Sequence, residues 1–378
     1  MRNILYWAPC LDKVATITAV LSSAKSVNKY YSTIYKVSIL NIIGEWNNHY
    51  TKKIDFLNLT NFNLFKLLPK KGFLRSRFSY IVFIFFAFYP LIKILKKNKP
   101  EFLIIHLITS LPIVLFIIFN FETKLILRIS GLPKLNFLRR LLWKLASHKI
   151  YKITCPTEET YKYIKKLGIF NEDKLVVLHD PIIEIDKYKK IHDHDNSLIN
   201  KQIIAVGRLT RQKNHLFLVK TFAKILEIYP HLKLKICGDG ENYKKIKSLA
   251  KELNILDKVA LPRYVDDITP VMKNSLCLLS TSLWEDPGFV MIEAAMSNTF
   301  VISSNCPNGP EEFIGNDSAG LLFDSNNEES LIAKFKQFMN MNEEEKLSKK
   351  INAKKKLKKY TIFMHAKKLK GVLSNEKQ

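Results

Sequence analysis

Two stretches in the second half of this chain hold residue types that can do chemistry. In the first, an apolar run at 203–206 ends in Gly207-Arg208-Leu209-Thr210, followed by Arg211, Lys213 and Asn214. Glycine permits a tight turn at the carboxyl end of a strand, where α/β proteins place their ligands. Arg208 offers a planar fork and Lys213 a flexible point charge, a combination suited to a diphosphate. Spacing alone leaves a second reading open, two solvated cations in a loop of a lysine-rich protein. In the second stretch, 281–295, a strand ending at Leu279 runs into a loop and a helix begins at Phe289. The amides of Gly288, Phe289 and Val290 then lie at a helix N-terminus, where anions and polar sugar groups bind readily. Glu285 in the loop and Glu293 one turn inside the helix can face one ligand. A carboxylate pair suits acid/base work, and suits equally well the positive end of a helix dipole.

Other residues have weaker signatures. His106 follows an apolar run at 102–105, at the strand end where a substrate-facing residue belongs; a satisfied core histidine looks the same. Arg128, in a run at 124–129, is placed to meet an acceptor phosphate. Gly238-Asp239-Gly240 reads as an architectural strand-to-helix turn, because no third glycine follows. His192-Asp193-His194-Asp195 has carboxylates for a hard cation and imidazoles for a softer one. It lies in a polar stretch away from any strand end, so it reads as a solvated loop, and no metal site is expected.

The elements that must position these residues come from the hydrophobic rhythm. A strand at 3–8 and a helix over roughly 13–27 open the chain, and apolar runs at 34–40, 102–107, 124–129, 149–155 and 175–178 alternate with helical patterns. Such alternation predicts βαβ units and a parallel sheet. A second series starts at 203. It has strands at 203–206, 233–237, 259–261, 275–279 and 300–303, and helices at 216–229, 242–253 and 290–296. The domains expected are 1–185, a polar linker at 186–202, a second doubly wound domain at 203–345, and a lysine-rich helical tail at 346–378. Phe102 to Phe121 runs 20 residues without a formal charge, yet Thr109-Ser110-Leu111-Pro112 divides it into a strand, a turn and a helix rather than a span. The apolar stretch 80–92 is too short to cross a membrane, and residues 1–9 lack the pattern of a secretory signal.

In this order the residues resemble a known group. GRLTRQKN, ICGDGENY, the Glu-x7-Glu stretch EDPGFVMIE, VISSNCPNGPEEFI and GLLF, over about 200–325, look like the C-terminal half of retaining family-4 glycosyltransferases. The resemblance implies an α/β fold of GT-B type, two facing Rossmann-like doubly wound domains with a cleft between them, the first binding the acceptor. It also implies a hexosyltransferase that keeps the anomeric configuration by front-face attack, without a protein nucleophile. Arg208 and Lys213 would hold the donor diphosphate and stabilise the leaving nucleotide, as an oxyanion hole stabilises developing charge. Glu285 would meet sugar hydroxyls, Gly288, Phe289 and Val290 would lend amides, and Glu293 would accept from the ribose. The loop 261–264, with Arg263, would lie near the base, and His106 would face the acceptor or sugar. No metal or other cofactor is implied; the nucleotide-sugar, a UDP-sugar by expectation, is a co-substrate. The chain departs from the pattern at four places. Pro9-Cys10-Leu11-Asp12-Lys13 replaces a glycine-rich loop, with Lys13 supplying charge there; Arg263 and Asn298 stand where glycine is usual, and Phe300 where proline is.

Composition sets the remaining expectations. Sixty Lys+Arg against 34 Asp+Glu give a net charge of +26, which calls for a polyanionic partner. Only nine of the cations are arginine, the residue that sequence-specific nucleic-acid readers rely on. No nucleic-acid partner is therefore expected. An anionic membrane surface, met through the basic, apolar-rich first half and the lysine tail, fits better. Five scattered cysteines, odd in number and without a Cys-x-x-Cys pair, argue for a reducing cytoplasm. The acceptor expected is a saccharide or lipid-linked saccharide, as in lipopolysaccharide, O-antigen or capsule synthesis, with the enzyme cytoplasmic or peripheral at the inner face of the plasma membrane. Two other classes remain, a nucleotide-sugar epimerase of the same architecture and a basic nucleic-acid-binding protein.

Overall fold

Apolar runs too short for helices pair as parallel strands when crossover helices cover both faces of the sheet. This happens twice in the computed structural model, which describes residues 1–11, 15–51, 54–69, 73–133, 135–184 and 201–374. Contacts divide the chain into two units, Met1–Ile182 with Tyr360–Gln378, and Ile183–Lys359. The predicted linker at 186–202, the His192 to Asp195 motif and Lys13 fall almost wholly or wholly outside the described residues.

The first unit holds strands β1 (Arg2–Trp7), β2 (Tyr35–Asn41), β3 (Asp55–Asn58), β4 (Phe102–Ile105), β5 (Lys124–Arg128), β6 (Ile150–Cys155) and β7 (Leu175–Val177). They form one parallel sheet in the order β3-β2-β1-β4-β5-β6-β7. Its helices are α1 (Ala15–Tyr31), α2 (Phe73–Lys97), α3 (Ser110–Ile118), α4 (Phe137–Ala146) and α5 (Glu158–Lys166). The doubly wound reading holds, and the uncharged 102–121 stretch is β4, a turn and α3, as expected. Edge strand β3, short and only half-buried, has no apolar alternation to announce it.

The second unit holds β8 (Gln202–Val206), β9 (Lys233–Cys237), β10 (Val259–Arg263), β11 (Cys277–Ser280), β12 (Phe300–Ser304) and β13 (Leu321–Phe323), all parallel, in the order β10-β9-β8-β11-β12-β13. Strand order reverses between β8 and β11, each starting a different half of the sheet. Ligands of open α/β sheets bind beyond the carboxyl ends of the strands at such a switch point.

Two expectations change. The apolar stretch expected at 80–92 belongs to a helix of 25 residues, and Arg77–Lys97 is long and apolar enough to cross a membrane by length and composition. Ser79, Phe83, Ala87, Leu91 and Leu95, four residues apart, are nonetheless buried along one side of α2, the last four within the core of the first unit. The helix is therefore packed against the core of the first unit, with Phe78, Tyr80, Ile81, Phe85, Phe88 and Tyr89 left exposed. Residues 346–378 do not form a separate tail. The helix Glu343–Lys356 stays with the second unit, while the helix Ile362–Ser374 lies against α1 in the first. Ile362, Ala366, Leu369, Val372 and Leu373 make the apolar stripe that packs it there.

A buried hydrogen-bond chain fixes that return. His365 Nδ1 lies 2.8 Å from the His179 carbonyl, which can only accept, so Nδ1 carries the proton. Its Nε2 then accepts from Ser23 Oγ at 2.7 Å, and Ser23 accepts from the Tyr6 hydroxyl at 2.7 Å. Burial pushes the imidazole down to about 4, which keeps it in the neutral form this chain requires.

Gly238 shows how close two strand ends come in the second unit. A Cβ built there would sit 1.9 Å from the Gly207 carbonyl oxygen, and φ is +154°. Gly238→Ala is expected to cost about 1–3 kcal/mol through overpacking. Gly168→Ala, whose methyl would meet nothing within 4 Å at a φ of +63°, should cost about 1 kcal/mol. Thermal unfolding followed by circular dichroism checks the order; equal midpoints would contradict it.

Candidate functional site

The loops after β8 and β11 meet through several contacts. The Leu283 amide donates to the Gln212 carbonyl at 2.8 Å, and the Gln212 side-chain amide donates to the Trp284 carbonyl at 3.0 Å. Thr281 Oγ1 donates to the Lys213 carbonyl at 3.1 Å, and Lys213 Nζ lies 2.5 Å from Glu285 Oε1. Both charged side chains are largely buried, 14% and 7% exposed, so the pair is an internal one. Ser282 Oγ adds a donor to the same carboxylate oxygen at 2.6 Å. Lysine has three donors, and the ammonium can keep Glu285 while addressing an anion with the others.

Arg208 stands exposed at the rim, its guanidinium 3.2 Å from Gln212 Oε1. The helix Phe289–Met296 begins beyond Gly288, which has a φ of 90°. Its first amides, those of Phe289 and Val290, have no acceptor inside the helix. Glu293 is half-buried, and desolvation pushes its carboxyl up to about 7, the nearby Lys213 opposing the shift. The structure thus gathers Arg208, Lys213, Glu285, Gly288, Phe289, Val290 and Glu293 into one unit around the ends of β8 and β11. Arg263 ends β10 in the same unit, 3.1 Å from Asp239 Oδ1 and stacked 4.1 Å from the Tyr243 ring centroid.

The departures at Arg263 and Asn298 have a backbone signature: φ is +66° and +61° at these positions. Glycine adopts that region freely and asparagine tolerates it. The chain keeps the conformation and changes the residue.

His106 belongs to the first unit. It is buried at the end of β4, its amide bonded to the Trp7 carbonyl, and its Nδ1 has no hydrogen-bond partner among the described residues. Burial and the Arg128 charge hold its pKa well below the ordinary histidine value, so the ring is neutral. It lines a cavity of about 590 Å³ together with Cys10, Ser110, Arg128, Ser130 and Trp143. Arg128 is not free to meet a phosphate as expected. Its guanidinium makes a buried, bidentate pair with Asp180 and donates to Ser130 Oγ at 2.7 Å. The partner lies 52 residues away in sequence, beyond any local pattern.

Sequence reasoning missed three residues. His215, next to Lys213, is buried, with Nδ1 unpartnered among the described residues, and is pushed down to about 3 by burial and the neighbouring ammonium. Asn308 bonds the Glu285 carbonyl at 3.1 Å and the Asp286 carboxylate at 2.6 Å, and so holds the loop from below. Ser282 is the third. Their signal was adjacency to the charged positions, within QKNH, NGP and TSLWE.

Residues 186–357 match the family Glycosyl transferases group 1. An uncharacterised glycosyltransferase of Methanocaldococcus jannaschii is 32% identical over 253 residues, 60% of this chain and 61% of that protein. The Campylobacter jejuni N-acetylgalactosamine-N,N'-diacetylbacillosaminyl-diphospho-undecaprenol 4-alpha-N-acetylgalactosaminyltransferase is 32% identical over 155 residues, 41% of each chain. The matched regions are less than two thirds of these relatives' lengths. Anabaena HepE, solved in complex with UDP and glucose, superposes with a TM-score of 0.72 at 13% identity, covering 99% of this chain and 100% of its own. The fold is GT-B. The similarity to Glycosyl transferases group 1 covers the second unit.

The raised Glu293 carboxyl has a consequence for stability. Its folded pKa, about 7, exceeds the ordinary 4.5, so the folded protein holds this proton more tightly than the unfolded one. The contribution is complete below about pH 4.5 and is lost as pH rises through 7. Glu293→Gln should therefore gain stability relative to the wild type between pH 4.5 and pH 8, read by urea titration. A difference that does not change with pH would contradict the assignment.

Proposed function

We propose that the protein is a retaining glycosyltransferase that moves a hexose or N-acetylhexosamine from a nucleotide-sugar, a UDP-sugar, to a saccharide or lipid-linked saccharide in bacterial cell-surface polysaccharide synthesis. The observation that carries this reading is the internal Lys213–Glu285 pair, 2.5 Å long, with exposed Arg208 on one side and the first turn of the helix Phe289–Met296 on the other. A diphosphate needs concentrated positive charge and a sugar needs acceptors beside it, and this arrangement supplies both.

In this reading Arg208 and Lys213 hold the diphosphate and stabilise the charge that develops as the nucleoside diphosphate leaves. Glu285, held by Lys213 and Ser282, accepts from sugar hydroxyls while the amides of Gly288, Phe289 and Val290 take the sugar and phosphate oxygens. Glu293 accepts from the ribose, and Arg263, stacked on Tyr243, lies toward the base. The acceptor hydroxyl attacks from the face that the leaving phosphate departs, and a phosphate oxygen takes its proton, so configuration is kept without a protein nucleophile. The two cations and the helix amides can supply the charge that a divalent ion would otherwise bring, and we propose metal-independent chemistry. The acceptor is read into the first unit, where neutral His106, its buried Nδ1 without a hydrogen-bond partner among the described residues, lines a cavity. Five buried cysteines, none of them in a disulfide, support a cytoplasmic enzyme. The known proteins similar to this chain are transferases, which does not favour the epimerase or the nucleic-acid-binding alternative.

The test is thermal stability of the purified protein with UDP, GDP and ADP, each in EDTA and in Mg²⁺. A ligand at about 100 times its Kd adds about 2.7 kcal/mol, an easily visible shift. Stabilisation by UDP in EDTA, lost in Arg208→Ala, is expected. Turnover of a UDP-sugar should fall in Arg208→Ala and Glu293→Gln while both fold normally. Wild-type turnover in both variants would overturn the site.

A further inference from the structure

A helix that is apolar all round is normally covered all round. α2 is fully covered along one stripe alone, with Val82, Ile84, Phe86, Ile92 and Ile94 partly buried beside it. Away from that stripe Phe78, Ile81, Phe85, Phe88 and Tyr89 are exposed, Phe85 by 76% and Tyr89 by 70%. The outer side of α4 is built the same way, with Phe137 79% and Leu138 72% exposed, and Leu141 and Leu145 also in solvent. The two helices are neighbours, since Tyr80 and Ile84 of α2 and Leu142 and Trp143 of α4 line the His106 cavity together. Exposed apolar patches of this extent mark binding surfaces.

Charge says what kind of surface they bind. Arg77, Lys93, Lys96 and Lys97 are exposed at the two ends of the apolar stretch of α2, and Arg140 and Lys144 are exposed among the apolar residues of α4. No Asp or Glu occurs anywhere from residue 56 to 100 or from 123 to 157. A protein partner of mixed charge needs no such exclusion, whereas an anionic lipid leaflet repels each carboxylate and attracts each cation. Cations interleaved with Phe and Leu on a helix that lies along a surface are the pattern of interfacial insertion.

We propose that the outer faces of α2 and α4 form a docking surface for an anionic lipid bilayer, their aromatic and leucine side chains entering the interface and their cations meeting lipid phosphates. The cavity of His106 then lies beside the bilayer, within reach of a polar head carried on a lipid anchor; this last point alone rests on the acceptor reading above. The lysine tail, expected to share in membrane contact, is largely committed elsewhere. Lys349 donates to the Asp317 carbonyl, Lys356 to the Ile314 carbonyl at 3.2 Å, and Lys359 pairs with Glu312 at 2.9 Å.

The experiment is flotation of the full chain with vesicles of phosphatidylcholine alone and with phosphatidylglycerol added, at low and high salt. Binding to the anionic vesicles, weakened by salt, is expected. Phe85→Asp with Leu138→Asp should lower it more than tenfold, with the unfolding midpoint and the UDP-induced thermal shift unchanged. Arg140→Ala and Lys144→Ala should each weaken it about fivefold. Absence of flotation at low salt, or unchanged flotation of the aspartate variant, would overturn the proposal. So would a lipid-free dimer, seen by light scattering, that the aspartate variant dissolves, because a second copy would then be the occupant. Bound protein that resists alkaline carbonate and yields only to detergent would overturn it in favour of a spanning α2. Failure of the UDP shift with flotation intact would count against the catalytic reading and leave the docking surface standing.

Discussion

The second unit turns on a cation and a carboxylate held out of water. Lys213 comes from the loop after β8 and Glu285 from the loop after β11, and their contact joins two segments 72 residues apart. Such a pair adds little net stability, because desolvating both charges offsets most of their attraction; removing one partner alone costs about 3–5 kcal/mol. Its value lies in placement. The sheet reverses direction between these two strands, so the carboxylate, the ammonium, the exposed guanidinium of Arg208 and the helix start at Phe289 come together where the strand order leaves room. Asn308, Ser282 and the Pro307 carbonyl add hydrogen bonds that hold Glu285 in place.

The first unit solves a different problem with the same architecture. Its charged interior, Arg128 with Asp180, is satisfied within itself, and its polar interior, Tyr6–Ser23–His365, ends on a backbone carbonyl. What this unit leaves outward is apolar, on α2 and α4, while inside it His106 lines a cavity with its Nδ1 buried.

Much of this was legible in the sequence because it is local. Strand–helix alternation is written in runs of four to eight apolar residues, and the loop cations and carboxylates sit within a few positions of a glycine at a strand end. Arg263 and Asn298 read as departures, and the backbone explains them, since both occupy the left-handed region that glycine would take. What escaped depended on distance. Nothing near Arg128 announces Asp180, nothing in a lysine-rich helix shows that its ammonium groups reach the carbonyls of Asp317 and Ile314, and an apolar helix does not disclose which side the sheet will cover. The fourfold spacing of Phe83, Ala87, Leu91 and Leu95 was present in the letters, but the equally apolar residues between them hid it.

The return of the helix Ile362–Ser374 to α1 gives the chain an order of assembly. The second unit is continuous in sequence and has all its strands once residue 323 is made. The first unit, made earlier, lacks the partner of α1 until residues 362–374 have been synthesised. Domains generally fold as units while the chain emerges, so here the later unit can be complete before the earlier one. Until then Val20, Ala24 and Val27 of α1, buried in the finished protein, wait for part of their cover. The first unit is thus closed by the helix Ile362–Ser374.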